Sequence, residues 1–189
     1  FLARMSHEIR TPLNALLGIT QLLDHTRLDS LQKTYVDTLD DAGQALLHVI
    51  NDILDYSKIS AGKVRLDEAD FSLLDLLDEC LRIFSLKARE KSLSLVCERS
   101  RDLPPCVRGD MARLRQILLN LLANAIKFTE HGTVQLRASL DSREGDVLVL
   151  RFEVEDSGIG IPADTLPLLF TSFSQADTST ARQYGGTGL

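Results

Sequence analysis

The sequence lacks tryptophan, has only three cysteines in 189 residues, and contains no apolar run near the roughly 20 residues that a membrane-spanning helix needs. It also lacks a positive surplus. A net charge of −6 speaks against a surface that binds nucleic acid by neutralising phosphates. Cys80, Cys97 and Cys106 are odd in number and fit no metal spacing. Cys80 and Cys97 sit within apolar patterns, which reads as buried free thiols in a reducing compartment rather than a disulfide framework. His7, His25, His48 and His131 lie far apart and form no metal motif. No signal peptide, internal repeat or low-complexity segment is visible. A globular composition remains, 44% hydrophobic and 25% charged, long enough for one or two small domains. The expected setting is the cytoplasm, with no membrane contact and no nucleic acid partner. A start at Phe1 and a stop at "GGTGL", without a closing element, reads as a fragment of a longer protein.

Two textures follow one another. From Leu2 to Leu23 the residues Leu2, Met5, Ile9, Leu13, Leu16, Thr20 and Leu23 keep a helical stripe. "DHTRLDS" breaks it. A second helix is expected from about Leu31 to Ile59, on Val36, Leu39, Ala42, Leu46, Val49, Ile50, Ile53 and Leu54, with Gly62 as its C-terminal cap residue. Two such helices make an antiparallel hairpin that cannot bury its own stripe on all sides. It should therefore pair with a second copy as a four-helix bundle. Beyond a boundary near Val64–Asp70, short strands and helices mix. Leu74, Leu77, Leu81, Phe84 and Ala88 predict a helix, with a capping box at Ser72 and Asp75. "SLSLVCE" alternates as a strand, and Asp110 is a good N-cap for the helix after it. "TVQLRASL" and "VLVLRFEVED" alternate as strands joined through "DSREG". The fold class is thus α+β: a helical hairpin over residues 1–66, then an α/β sandwich with helices on one sheet face over 67–189.

Three places suggest chemistry. His7 falls nearly opposite the first helix's apolar stripe, with Thr11, Asn14 and Gly18 on its side. Pro12 has no N–H to donate to the carbonyl of Glu8, so a kink is expected just below the histidine. Either this is an ordinary surface histidine beside a tolerated proline, or an exposed imidazole serves as a nucleophile, with Glu8 accepting its proton. On the helix after Asp110, Leu114, Ile117, Leu118, Leu121, Leu122 and Ala125 form an expected core face. Arg113, Gln116, Asn120, Asn124 and Lys127 share a separate stripe about 80° wide at 100° per residue. Asparagines a turn apart, near a lysine, suit Mg²⁺ coordination and phosphate contact; a merely solvated face is the alternative.

After the last strand, Asp156 continues the side taken by Leu148, Leu150, Phe152 and Val154. A carboxylate there needs a partner, such as the exocyclic amino group of a purine. Gly158 and Gly160 would let the backbone turn and approach a ligand, or simply turn. Gly185, Gly186 and Gly188 could form an anion-binding nest, with Thr187 as hydroxyl donor.

Taken together, "FLARMSHEIRTPLNALLG", "LRQILLNLLANAIKFT", "DSGIGIP" and "LFTSFSQADTSTARQYGGTGL" resemble the H-box, N-box, G1-box and F-to-G2 region of a bacterial sensor histidine kinase. With "DILDYSKISAGK" the wording is most similar to hybrid kinases that carry a receiver domain further on. The resemblance implies ATP-dependent autophosphorylation of His7, with Glu8 as its acid–base neighbour and Thr11 at a position linked to phosphatase activity. It implies Mg²⁺ on Asn120, phosphates on Asn124 and Lys127, and the adenine amino group on Asp156, beside Gly158 and Gly160. It further implies a lid containing Phe170 and Phe173, Arg182 toward the γ-phosphate, and backbone amides of Gly186 and Gly188 near the phosphates. The partners it implies are a second copy of the chain and the receiver domain of a response regulator. The parent protein would sit in the bacterial inner membrane. A G2-box that stops at Leu189 leaves a dimerisation and phosphotransfer module with an impaired nucleotide site as the alternative. A chaperone or topoisomerase type of ATPase would share the asparagine and glycine elements but not "SHEIRTP".

Overall fold

The computed structural model describes residues 2–62, 64–163 and 165–166. Packing divides the described chain at Val64 and Arg65 into a helical unit and an α/β unit.

The helical unit is a hairpin of α1 (Leu2–Asp24) and α2 (Ser30–Ser60). Pro12 lies inside α1, which runs on past it. The turn between them stops cleanly because Asp29 caps α2. Its Oδ1 accepts from Gln32 N at 2.8 Å, and Gln32 Oε1 accepts from Asp29 N at 3.1 Å. This reciprocal box satisfies two backbone donors at the helix start. At the other end Ala61 closes α2 and Gly62 follows at φ 62°, a left-handed position that suits glycine.

The seam between the helices is narrow. Leu13, Leu17, Ile50 and Leu54 form its buried core, with Leu47 against it, and Thr20 is buried with its hydroxyl on Leu17 O and Asp40 Oδ1. Two facing helices enclose only one strip of each surface, so half of the expected stripe stays outside. Ile9, Leu16 and Leu23 are spaced by seven residues, as are Leu39, Leu46 and Ile53, and all six are between 38% and 50% exposed. A seven-residue apolar repeat left in water is what a further helical partner covers.

The α/β unit contains β1 (Ala69–Ser72), α3 (Leu73–Glu90), β2 (Leu93–Arg99), β3 (Cys106–Gly109), α4 (Met111–Phe128), β4 (Gly132–Glu144) and β5 (Val147–Asp156). The main sheet has the order β2-β4-β5, with β2 parallel and β5 antiparallel to β4. Val134, Leu136 and Ala138 of β4 meet Leu73, Leu76, Leu77 and Cys80 of α3 and Leu118, Leu122 and Ile126 of α4 in one core. The other sheet face is charged: Arg137 bridges Glu98 and Glu155 at 3.0 and 3.1 Å. Helices therefore cover one face, and the alternation of β5 follows from it.

Several details depart from the sequence reading. β1 and β3 pair as a separate two-stranded antiparallel sheet, too short to show as alternation. "DSREG" is mostly strand: pairing continues to Glu144 and Val147, leaving Gly145 and Asp146 as the turn, with an irregularity at Leu140–Ser142. Gly145 takes φ 61° there. Ile117 and Leu121 are 57% and 42% exposed rather than core, because α4 packs through Leu118, Leu122, Ala125 and Ile126, rotated away from them. Cys80 is buried, Cys97 half-buried and Cys106 exposed, all as free thiols, and burial pushes the Cys80 thiol up.

The helices come close at Gly43, where a Cβ would lie 2.5 Å from Leu17 Cδ2. Alanine gains roughly 1 kcal/mol of helix propensity over glycine there, which offsets part of the clash with a flexible leucine tip. Valine recovers less of that gain and adds branched bulk. Gly43→Val is expected to destabilise the helical unit by about 1–3 kcal/mol, read as a lower melting temperature of the residue 1–64 helical signal.

Candidate functional site: the C-terminal end of α4 and the Asp156 turn

Asp110 starts α4. Its Oδ1 accepts from Arg113 N at 3.0 Å and its Oδ2 from Asp67 N at 3.1 Å. These backbone bonds, Arg113 first, hold its carboxyl below the usual carboxylate range. With Leu118, Leu122, Ala125 and Ile126 buried, helical periodicity places Asn120 and Asn124 on the far side, and both are exposed. Lys127, near the helix end, is half-buried and 5.1 Å from the Phe128 ring centroid. Desolvation, helped by the positive charge of Lys87, pushes its ammonium below the usual lysine value. A desolvated cation beside a second cation is a favourable place for an anion.

The last four carbonyls of a helix have no partner within it, and all four in α4 are accounted for. Ala125 O accepts from Thr129 N at 3.1 Å and from Thr129 Oγ1 at 2.7 Å. Ile126 O and Lys127 O accept from Lys91 Nζ at 2.7 and 3.2 Å. Phe128 O accepts from Ile159 N at 3.3 Å, in the turn that follows β5. That turn is thus one of the caps of α4.

The turn itself is tight. Gly158 N donates to Asp156 Oδ1 at 2.8 Å, and Thr129 Oγ1 lies 3.5 Å from the same oxygen. A Cβ on Gly158 would stand 2.4 Å from Phe128 O and 2.7 Å from Asp156 Oδ1; backbone contact, not positive φ, demands glycine there. Gly160 needs it for the other reason, with φ 69°. Ser157 ties the turn to β4, its N–H donating to Thr133 O at 3.1 Å and its Oγ accepting from Thr133 N at 2.9 Å.

Asp156 is exposed. The sequence reading placed it toward apolar neighbours at a desolvation cost, but its position at the strand end leaves it in reach of water, and Gly158 N satisfies one oxygen. The structure brings Asp156, Gly158 and the end of α4 together. In the other unit, His7 and Glu8 lie within α1, and Thr11 is exposed one turn further on. The side chain of His7 is outside what is described, as are Phe170, Phe173, Arg182, Gly186, Thr187 and Gly188. Sequence reasoning missed Lys91, Thr129 and Ser157; nothing in "AREKS" distinguishes a lysine that reaches another helix from one in solvent.

Two family models match. Residues 1–62 match the His Kinase A (phospho-acceptor) domain. Residues 109–189 match the histidine kinase-, DNA gyrase B-, and HSP90-like ATPase. The chain belongs to the histidine kinases.

Histidine kinases of the hybrid type are prominent among its relatives. The sensory/regulatory protein RpfC of Xanthomonas campestris pv. campestris is 48% identical over the whole chain, which covers 26% of that protein. Sensor histidine kinase GacS of Pseudomonas protegens is 50% identical, again over the whole chain and 21% of that protein. Hybrid signal transduction histidine kinase B of Dictyostelium discoideum is 48% identical, with 10% of its length covered. The chain therefore spans between 10% and 26% of the length of these relatives. Among solved structures, full-length ShkA in complex with AMPPNP superposes with a TM-score of 0.77 at 38% identity, over all of this chain and 38% of that one. The histidine kinase ThkA, solved with the response regulator protein TrrA, gives 0.59 at 26% identity, over 96% of this chain and 52% of that one.

Gly158→Ala is expected to destabilise the α/β unit by about 1–3 kcal/mol, because a backbone carbonyl cannot step aside as a side-chain tip can. Its melting temperature should fall, while Gly160→Asn, in a left-handed position asparagine tolerates, should lower it less.

Proposed function

We propose that the chain is the kinase core of a two-component system: it transfers the γ-phosphoryl group of ATP to His7 and then to an aspartate on a response-regulator receiver domain. The carrying observation is the pairing, in one chain, of a phospho-acceptor helix with an exposed asparagine stripe that ends at the Asp156 turn. The AMPPNP in ShkA and the response regulator beside ThkA support the same reading.

In this reading Glu8 draws a proton from one imidazole nitrogen of His7, and the other nitrogen attacks the γ-phosphorus in line. The bond to the β–γ bridging oxygen breaks and ADP leaves. Asn124 and Lys127 hold the phosphates, while Asp156 accepts a hydrogen bond from the adenine amino group. The exposed carboxamide of Asn120, an oxygen donor on the same stripe, fits a Mg²⁺ that also takes phosphate oxygens and water. When bound, Mg²⁺ supplies neutralisation of the developing phosphate charge. Thr11, one turn beyond the histidine, would orient the water that removes the phosphoryl group in the reverse, phosphatase direction. Arg182, Thr187, Gly186 and Gly188 are assigned to the γ-phosphate side. The kinase core would work in the cytoplasm, on a parent protein anchored in the inner membrane.

The decisive assay is transfer from γ-labelled ATP with Mg²⁺. Acid-labile label is expected, absent in His7→Gln and reduced about a hundredfold or more in Asn120→Ala, the scale of losing a transition-state electrostatic contact. Bound nucleotide without label would instead favour the phosphotransfer module.

We also propose a homodimer through the exposed heptads of α1 and α2. Leu16→Glu with Leu46→Glu buries charge in that interface and is expected to give a monomer by light scattering. A dimer that persists in the double variant counts against it.

A further inference from the structure

Lys91 lies just beyond α3, outside every motif quoted above, yet it makes an unusual set of bonds. Its ammonium has three protons to donate and meets three backbone carbonyls: Ile126 O at 2.7 Å, Lys127 O at 3.2 Å and Thr129 O at 3.2 Å. Two of these belong to the last turn of α4, and the third to the residue after the helix. The placement also suits the negative end of the helix dipole. The backbone leading to Lys91 is held in turn: Lys91 N donates to Lys87 O, and Ser92, which follows at φ 54°, donates its N–H to Arg89 O at 2.9 Å. The ammonium is therefore delivered from a rigid helix end, not from a free tail.

What Lys91 holds is the floor of the Asp156 turn. Between its carbonyl contacts lies Phe128, whose own carbonyl receives Ile159 N and is the oxygen against which Gly158 packs. Thr129, fixed by its carbonyl to Lys91 and by its amide and hydroxyl to Ala125 O, stands with Oγ1 3.5 Å from Asp156 Oδ1. A hydroxyl has one proton, and the 2.7 Å contact commits it to Ala125 O. Thr129 therefore sets where the carboxylate sits by contact, while Gly158 N sets its rotation.

We infer that Lys91 is a positioning residue for base recognition: its three-carbonyl clamp on the end of α4 fixes the register of residues 128–129, and through them the aim of Asp156 at the purine amino group. The inference rests on the nucleotide reading above and deepens it. Lys91 touches no substrate. Its loss leaves three carbonyls without their donor, the last turn of α4 shifts, and the carboxylate moves with the turn while the phosphate-side asparagines, one and two turns up the helix, stay in place.

The test compares ADP with purine riboside 5′-diphosphate, which lacks only the 6-amino group, by calorimetric titration of the 189-residue chain. Wild type should prefer ADP by about tenfold or more, the scale of a hydrogen bond to a charged group. Lys91→Met should lose most of that preference, binding ADP about tenfold more weakly and the analogue nearly as before. Some loss of melting temperature is expected with it, so Leu103→Ala serves as a control. Leu103 is a core residue linked through Ser100 to Ala138, halfway along β4 from Gly132. It should lower the melting temperature and leave the ADP preference intact. If Lys91→Met keeps the wild-type preference, or Leu103→Ala loses it equally, Lys91 is only a structural cap and the inference falls. If the wild type binds both nucleotides equally or neither, the role of Asp156 fails first, and the failure is visible before any variant is made.

Discussion

The end of a helix is a debt of four carbonyls, and in α4 the way that debt is settled decides where the candidate site lies. A helix that ended in solvent would leave them to water. Here one goes to Thr129, two to Lys91 and one to Ile159. The last of these draws the chain leaving β5 onto the helix terminus. Gly158 then has to approach to within contact of Phe128 O, and Asp156 has to close its carboxylate on Gly158 N. The asparagine stripe and the aspartate turn are thus joined by backbone bonding, in addition to the core that α4 shares with β5. Losing that joint would leave a backbone carbonyl of a half-buried residue without its partner, which costs free energy.

The two units divide their apolar surface in different ways. The α/β unit encloses a core of fully buried leucines between two helices and one sheet face, and its other sheet face is laced with ion pairs such as Arg137 with Glu98 and Glu155. Among the described residues the helical unit has two elements, and these bury one strip. Gly43 lets α2 come close to Leu17, which tightens that strip but cannot widen it. What stays outside is regular rather than scattered, and regular exposure at a heptad spacing is surface held ready for another helix.

How much of this was legible in the sequence depends on the range of the interaction that fixes each feature. Both long helices, α3, α4 and the strands β2, β4 and β5 follow from local periodicity and caps, and the structure has them. β1 and β3 are four residues each and exist only because they pair with each other, so no local pattern announces them. Ile117 and Leu121 were expected in the core because they extend the apolar arc of α4; packing rotates the helix toward Leu122 and Ile126 instead, which only the partner surfaces determine. The glycine at 158 was legible as a turn, but its reason, a carbonyl thirty residues earlier in the chain, was not. Lys91 was invisible for the same reason, since its partners are three carbonyls whose residue types carry no signal.

Charge poses the remaining question, since a chain of net charge −6 is an unpromising host for a triphosphate. Long-range field does not help it, and beyond about 8 Å at physiological salt that field is screened in any case. The attraction must be local. Lys127 is half-buried with Lys87 nearby, and desolvation together with that second positive charge lowers its affinity for a proton. An anion placed there removes the repulsion between the two lysines and gains from the reduced screening of a half-buried site. Carboxamides carry no negative charge, so in the proposed site the exposed Asn120 can help hold a divalent cation and the exposed Asn124 can face the phosphates without repelling them. Aspartates in the same two places would repel the phosphates. In the proposed site, neutral carboxamides beside a half-buried lysine would reconcile an acidic protein with an acidic substrate, which gives a stripe of asparagines on α4 a physical reason.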